Sequence, residues 1–384
     1  MQIEPIHYAP PEEEISARIA RVQEKMAEQK LDWYVSCHPD NIYYLTNFAN
    51  FVHERVFVLM IPARGVPHFL APLLEMPHIR SRSVGKIELV DYFEFPAPVG
   101  NNWFDKMKAV LGSSARIGVE SVCQLQVYNA INAERIQSDI IDDLRMIKSP
   151  YEMGRMAYTG RIASTAMLDL LDEATPGRSL GEVSSRGTGL MFEMLRRDDP
   201  SINPRATRLN AVFHPAQYSH DPHNFGDLDM RMQEGGPHVS IVNAVMNGYG
   251  SEIERTFFLG HVPEAAKKPY EVMMEARELT FEMVKPGMRM CDVDKAVNDL
   301  FKKAGYTENL LHRAGHGMGV TAHEAPFLAE GDTRVIEPGM SFTVEPGIYF
   351  PGNGGFRHSD TILVTGNGNI SLTEAPASLE AMIL

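Results

Sequence analysis

Two Pro-Gly steps, Pro176-Gly177 and Pro286-Gly287, stand 110 residues apart in this chain of 384. Each ends a long amphipathic segment, 150–173 and 263–284. Each is followed at once by a second helical pattern, SLGEVSSRGTGLMFEML and CDVDKAVNDLFKKAG. Proline cannot continue a helix and glycine accepts the left-handed turn that leaves one, so the pair is a strong helix stop. A helix–stop–helix unit met twice at a fixed period points to two related halves. Chance recurrence of a common stop signal is the plain alternative, and the spacing alone does not choose. Strand-like stretches, PHVSIVNAVMNGYGSEIERTFFLG and MSFTVEPGIYF, lie between and after the helical units. Antiparallel strands with a helix pair from each half would enclose a central cleft.

Upstream the pattern changes. Residues 12–29 repeat apolar positions near the helical period, with acids in the first turn. LDWYVSCHP, VFVLMIP, HFLAPL and RIGVESV read as short strands, and with IIDDLRMI they make an alternation typical of an α/β domain. That domain is expected over 1–148. Ser149-Pro150, a good helix start, opens an α+β domain expected over 149–384.

A net charge of −14 argues against binding a phosphate backbone, so no nucleic-acid partner is expected. The three cysteines (Cys37, Cys123, Cys291) are widely spaced, odd in number and without a CxxC pattern, which predicts neither a disulfide framework nor a zinc-thiolate site. The acidic start has no signal-peptide pattern, and no apolar run approaches the roughly 20 residues of a membrane span. A cytoplasmic protein without a membrane partner is the expectation.

Five stretches carry candidate chemistry. In VNAVMNGYGSEIERTFFLG, Asn-Gly supplies a tight hairpin turn, and strand alternation puts Glu252 and Glu254 on one face. Paired acids are also common on a solvated strand. YSHDPHNF holds His220 and His223 in a polar loop, where a histidine is ordinarily just a surface residue. HRAGHGMGVTAHEAP sets His316 and His323 seven residues apart, with glycines between them that allow close backbone approach. EPGMSFTVEPGIYF and GGFRHSDTILV add Glu345, Arg357, Ser359 and Asp360, the Arg357–Asp360 pair reading as an orienting ion pair or a plain structural salt bridge.

In this order the fragments resemble the catalytic half of the pita-bread hydrolases, the family of proline-specific aminopeptidases, prolidases, methionine aminopeptidases and creatinase. The resemblance implies an α/β N-terminal domain plus an α+β pita-bread C-terminal domain, two pseudo-repeated halves around an antiparallel sheet. Metal-dependent members hold two divalent ions with two Asp, one His and two Glu. Here His316 and Glu345 match, whereas the first Asp falls on Ile241 or Asn243, the second on Glu252, and the bridging Glu on Ser359. Neither an aliphatic side chain nor a neutral amide or hydroxyl replaces a bridging carboxylate well. The ending Glu254-Arg255-Thr256 is similar to metal-free creatinase, whose substrate-binding Glu directly precedes Arg-Thr.

This likeness to creatinase implies a metal-independent hydrolase of a C–N bond in a small cationic or zwitterionic compound, with no cofactor. His223 is then the general acid/base, with His220 the second candidate for that role and otherwise a substrate contact, and Glu254, Glu345 and His323 complete the catalytic set. Glu252, His316 and Arg357 bind substrate. Creatinase-like dimers close the site with a loop of the neighbouring N-terminal domain; the matching stretch NFANFVHERVF offers Phe51, His53 and Arg55. The alternative is a metal-dependent Xaa-Pro aminopeptidase or dipeptidase with a reduced site, Glu252, His316 and Glu345 holding Mn, Co or Zn. A second alternative is a non-catalytic pita-bread binding protein.

Overall fold

A computed structural model describes residues 3–51, 53–198, 202–224 and 226–384, so Val52 and Phe225 of the segments quoted above lie outside the described residues. The chain forms two compact units: residues 9–145, and residues 146–384 joined by the N-terminal stretch 1–8.

In the first unit, helix Glu12–Gln29 begins with Glu12, Glu13 and Glu14 and buries Ile15, Ile19, Val22 and Met26, a stripe at helical spacing. Six strands follow: β1 (Trp33–Ser36), β2 (Val58–Pro62), β3 (His68–Pro72), β4 (Glu88–Tyr92), β5 (Arg116–Val119) and β6 (Glu134–Gln137). They form one mixed sheet in the order β4-β3-β2-β1-β5-β6. IIDDLRMI supplies a helix there, Ile140–Arg145.

The second unit is built on β7 (Arg208–His214), β8 (Gly235–Met246), β9 (Tyr249–Leu259), β10 (Gly315–Gly317), β11 (Glu324–Leu328), β12 (Ser341–Val344), β13 (Gly347–Phe350), β14 (Gly354–Arg357), β15 (Ser359–Val364) and β16 (Asn369–Ser371). The main sheet runs β11-β10-β12-β15-β9-β8-β7, with β16 on β15, and its ladders are antiparallel. Helices Pro150–Glu173, Leu180–Asp198, Glu264–Met283 and Met290–Lys303 cover it through one continuous core that includes Ile162, Val242, Phe257, Met273, Phe342 and Ile362. Ser149 opens the first of these helices with a full capping box to Glu152, and Pro150 occupies the first turn. Among the described residues no helix is long and apolar enough to cross a membrane.

The two halves repeat in hydrogen bonds as well as in outline. After the first Pro-Gly stop, the amides of Gly177, Leu180 and Gly181 donate to the carbonyls of Met232, Met230 and Leu228, and Met232 donates back to Arg178. After the second, Gly287, Met290 and Cys291 donate to Ile336, Arg334 and Asp332, and Ile336 donates back to Met288. Gly177 and Gly287 both sit at positive φ, +86° and +91°. The halves meet where β9 pairs with β15, Glu254 opposite Ser359. Asn247 (φ 45°) and Gly248 (φ 83°) make the tight turn between β8 and β9, and this sets Ile241 opposite Glu254 and Asn243 opposite Glu252. The expected polar strand faces therefore lie on the seam.

Because nothing would meet a Cβ at Gly177 or Gly287, alanine there strains only the backbone. Gly177→Ala and Gly287→Ala should each lower stability by about 1–2 kcal/mol, and by similar amounts, in chemical denaturation.

Candidate active site

Strand alternation at the seam turns Glu252 and Glu254 to one side of the sheet, and both are buried. They line a cavity of about 380 Å³ together with His223, His323, Glu345 and Arg357. Glu252 accepts a hydrogen bond from Asn243 Nδ2 at 2.9 Å and one from Ser359 Oγ at 3.0 Å. The neutral residues near the family's carboxylate positions thus act as donors to the carboxylate that remains. Glu254 lies in the cross-strand row between Ile241 and Ser359. A carboxylate absent from both flanking positions is present between them.

Arg357 is buried and engages Glu254 with two nitrogens, Nη2 to Oε1 at 2.8 Å and Nε to Oε2. Its Nη1 donates to Tyr349 Oη at 3.1 Å, and that oxygen is 2.7 Å from His312 Nε2. A Cβ at residue 347 would lie 2.7 Å from Tyr349 Oη and 3.0 Å from His312 Nε2, so Gly347 leaves room for this contact. Burial, and then Arg357, push His312 down to about 3 and His214 down to about 4, so both rings stay neutral. Sequence reasoning missed Tyr349, His312 and His214. The first two sit inside motifs already quoted; His214, at the end of β7, carries no motif at all.

The expected Arg357–Asp360 pair does not form. Arg357 ends β14 and lines the cavity, whereas Asp360 lies in β15 and meets Arg255 at 2.9 Å and Arg277. Arg357 is left to the cavity.

His316 is buried, with Nδ1 3.0 Å from the Gly317 carbonyl. That contact places the ring proton on Nδ1 and leaves the Nε2 lone pair for the cavity. Nε2 makes no hydrogen bond and lies 3.3 Å from Glu345 Oε1. His323 stacks on His316 with centroids 3.8 Å apart. Burial lowers the pKa of both rings. Glu345 is pushed up to about 8, first by burial and then by Glu252.

His220 is absent from the cavity lining. Phe51, His53 and Arg55 share a loop of the other unit, with His53 stacked edge-on against exposed Phe51 (5.1 Å) and Arg55 paired with Glu94 at 3.0 Å.

These donors include two sets that could each hold a divalent ion, with Glu252 common to both. Ligand atoms of Glu252, Glu254 and Glu345 lie within 4.8 Å of one another, as do those of Glu252, His316 and His323. Three acids gathered around one guanidinium, with an imidazole lone pair facing them, form a mixed oxygen and nitrogen set suited to Mn, Co or Zn. The two sets share Glu252, while Ile241 offers no ligand and Asn243 and Ser359 donate to that same carboxylate. Arg357→Met strands the buried Glu254 charge and should cost about 3–5 kcal/mol in urea denaturation, with most of the loss recovered on adding Glu254→Met.

Residues 154–366 match the family model for metallopeptidase family M24, and residues 18–147 match that of the creatinase/prolidase N-terminal domain. An Xaa-Pro dipeptidase of Pyrococcus furiosus is 27% identical over 375 residues, spanning 94% of this chain and 99% of its own. The prolidase from Pyrococcus horikoshii superimposes with a TM-score of 0.81 at 25% identity, covering 94% of this chain and 99% of that one. The Xaa-Pro dipeptidase from Bacillus anthracis gives 0.80 at 26% identity, with 96% and 100% covered. These relationships overturn the expectation of a metal-independent, creatinase-like hydrolase without a cofactor. That expectation counted carboxylates lost at 241 and 359, and missed how Glu254 enters between those positions to give Glu252 and Glu345 a third acid. The expected C–N hydrolase stands, since peptidases break that bond. Two matched models together span nearly the whole sequence, the larger over more than half of it, and the chain belongs to metallopeptidase family M24 and carries a creatinase/prolidase N-terminal domain.

Proposed function

We propose that this chain is a metal-dependent peptidase of small Xaa-Pro substrates, dipeptides above all, working with a reduced ligand set. Glu252, His316 and Glu345 hold one divalent ion of the Mn, Co or Zn type. The observation that carries the reading is the convergence of buried acids on an imidazole whose free nitrogen faces them. The relatives named Xaa-Pro dipeptidase and prolidase support the substrate class. So does the cavity, whose size falls at the small end of ligand sites and whose wall includes Leu209, Pro222, Ile241 and Ala322, an apolar lining suited to a prolyl ring.

When bound, such an ion supplies a Lewis acid for the scissile carbonyl. The protein's own groups do the rest. Glu254 and Tyr349 hold the Arg357 guanidinium still, and its fixed positive charge receives the substrate carboxylate. His323, stacked on His316, keeps that ring in plane and offers a second contact to substrate. His223, on the cavity wall, passes a proton to the leaving nitrogen.

Protein purified without added metal should carry close to one ion per chain, and should cleave Xaa-Pro dipeptides until a chelator removes it. Full cleavage in chelator, or none by the metal-loaded protein, overturns the proposal. Ser359→Ala and Asn243→Ala, which free the Glu252 carboxylate, should each lower metal affinity about 10–100-fold in competition with a chromogenic chelator.

We further infer a cytoplasmic homodimer in which the Phe51, His53 and Arg55 loop of a second copy closes the site. The exposed Phe51 ring and three free cysteines support this reading. Phe51→Ala should lower kcat/KM about tenfold, equal to ~1.4 kcal/mol, with the melting curve unchanged. A monomer in sedimentation at assay concentration refutes the shared site.

A further inference from the structure

Cysteine spacing predicted no disulfide, yet Cys37 Sγ and Cys123 Sγ lie 3.0 Å apart although 86 positions separate them in sequence. Both belong to the unit over residues 9–145, and both are free thiols. The backbone that brings them together is firmly held. Cys37 directly follows β1, and Cys123 lies just past β5, its parallel neighbour, with Val35 beside Val119. The buried Glu120 carboxylate accepts hydrogen bonds from Ser36 Oγ (2.6 Å), Cys37 N (2.9 Å), His38 N (3.0 Å) and Asn41 Nδ2 (2.8 Å). Cys123 N donates to the carbonyl of that same Glu120 at 3.1 Å. One residue therefore anchors the main chain beneath both sulfurs. The two sulfurs are about 1 Å from the ~2.05 Å separation of a disulfide.

We propose that Cys37 and Cys123 form a reversible disulfide site, closed by hydrogen peroxide and opened by dithiols. Half-buried Cys123 is the sulfur that meets the oxidant; buried Cys37 waits beneath it. In the first step Cys123–SH and peroxide give Cys123–SOH and one water. In the second, Cys37 sulfur attacks the sulfenic sulfur, the S–S bond forms, and hydroxide leaves with the Cys37 proton as a second water. Two thiols are oxidised by two electrons and one peroxide is reduced. Contact with Cys123, and then burial, keep Cys37 protonated at rest, which assigns the first attack to Cys123. Cys291, in the other unit, serves as an internal control.

The test treats the native full-length chain with graded peroxide, alkylates it and maps the peptides by mass spectrometry. Cys37 and Cys123 should lose alkylation in step while Cys291 keeps it. A linked peptide should appear about 2 Da below the sum of the two reduced ones, the two hydrogens removed, and should vanish in dithiothreitol. In Cys37→Ser no linked peptide forms, and Cys123 runs on to the sulfinic acid at the same dose. The proposal is overturned if wild-type Cys123 goes to sulfinic or sulfonic acid without the link, if the link joins two chains, or if both thiols stay alkylatable while exposed methionines oxidise.

Discussion

The Glu252 carboxylate stands where the central strands of the cavity come together. Its backbone is clasped from across the sheet, since its N–H donates to Thr361 Oγ1 at 2.8 Å and its carbonyl accepts from the same hydroxyl at 2.9 Å. Its side chain takes Asn243 from one neighbouring strand and Ser359 from the other. A buried acid can keep its charge only when its lone pairs are met or a cation lies close. Here the neutral donors meet part of that need, and the rest falls to whatever positive charge the cavity receives. Burial raises the pKa of both Glu254 and Glu345, and the neighbouring Glu252 charge adds to the rise in each.

Arg357 shows why letter-by-letter comparison of motifs misleads at such a site. Beside Asp360 in the sequence it reads as half of a local ion pair. The chain passes from β14 to β15 between the two, so Arg357 faces Glu254 and Asp360 faces Arg255 and Arg277. Cross-strand register, which one strand's sequence does not state, decided both partnerships. The same register placed Glu254 between Ile241 and Ser359.

Much of the architecture was legible because it rests on local signals. The Pro-Gly stops, the Ser149 cap and the Asn247-Gly248 turn are all conformational demands that a few residues satisfy alone. The helical and strand periods carried the remaining elements. Within the site, Glu252, Glu254, His316, His323, Glu345 and Arg357 announced themselves through motifs; the cavity brings all but His316 together, and His316 lies 3.3 Å from Glu345. His312 and Tyr349 went unnoticed inside those same motifs, because their contact passes through the space that Gly347 leaves empty. The Cys37–Cys123 approach was invisible for a different reason: it depends on the pairing of β1 with β5, distant in sequence.

The matching corners after Gly177 and Gly287 are tied almost wholly by main-chain groups. Those ties run through main-chain groups whatever side chains the residues carry, and Arg231 adds one side-chain bond, its Nη1 donating to the Gly177 carbonyl at 2.6 Å. The scaffold of each half is thereby insulated from the chemistry at the seam. Residues 241, 254 and 359 stand on the strands of the seam, away from those corners, so a change of side chain there leaves the ties that hold each half in place.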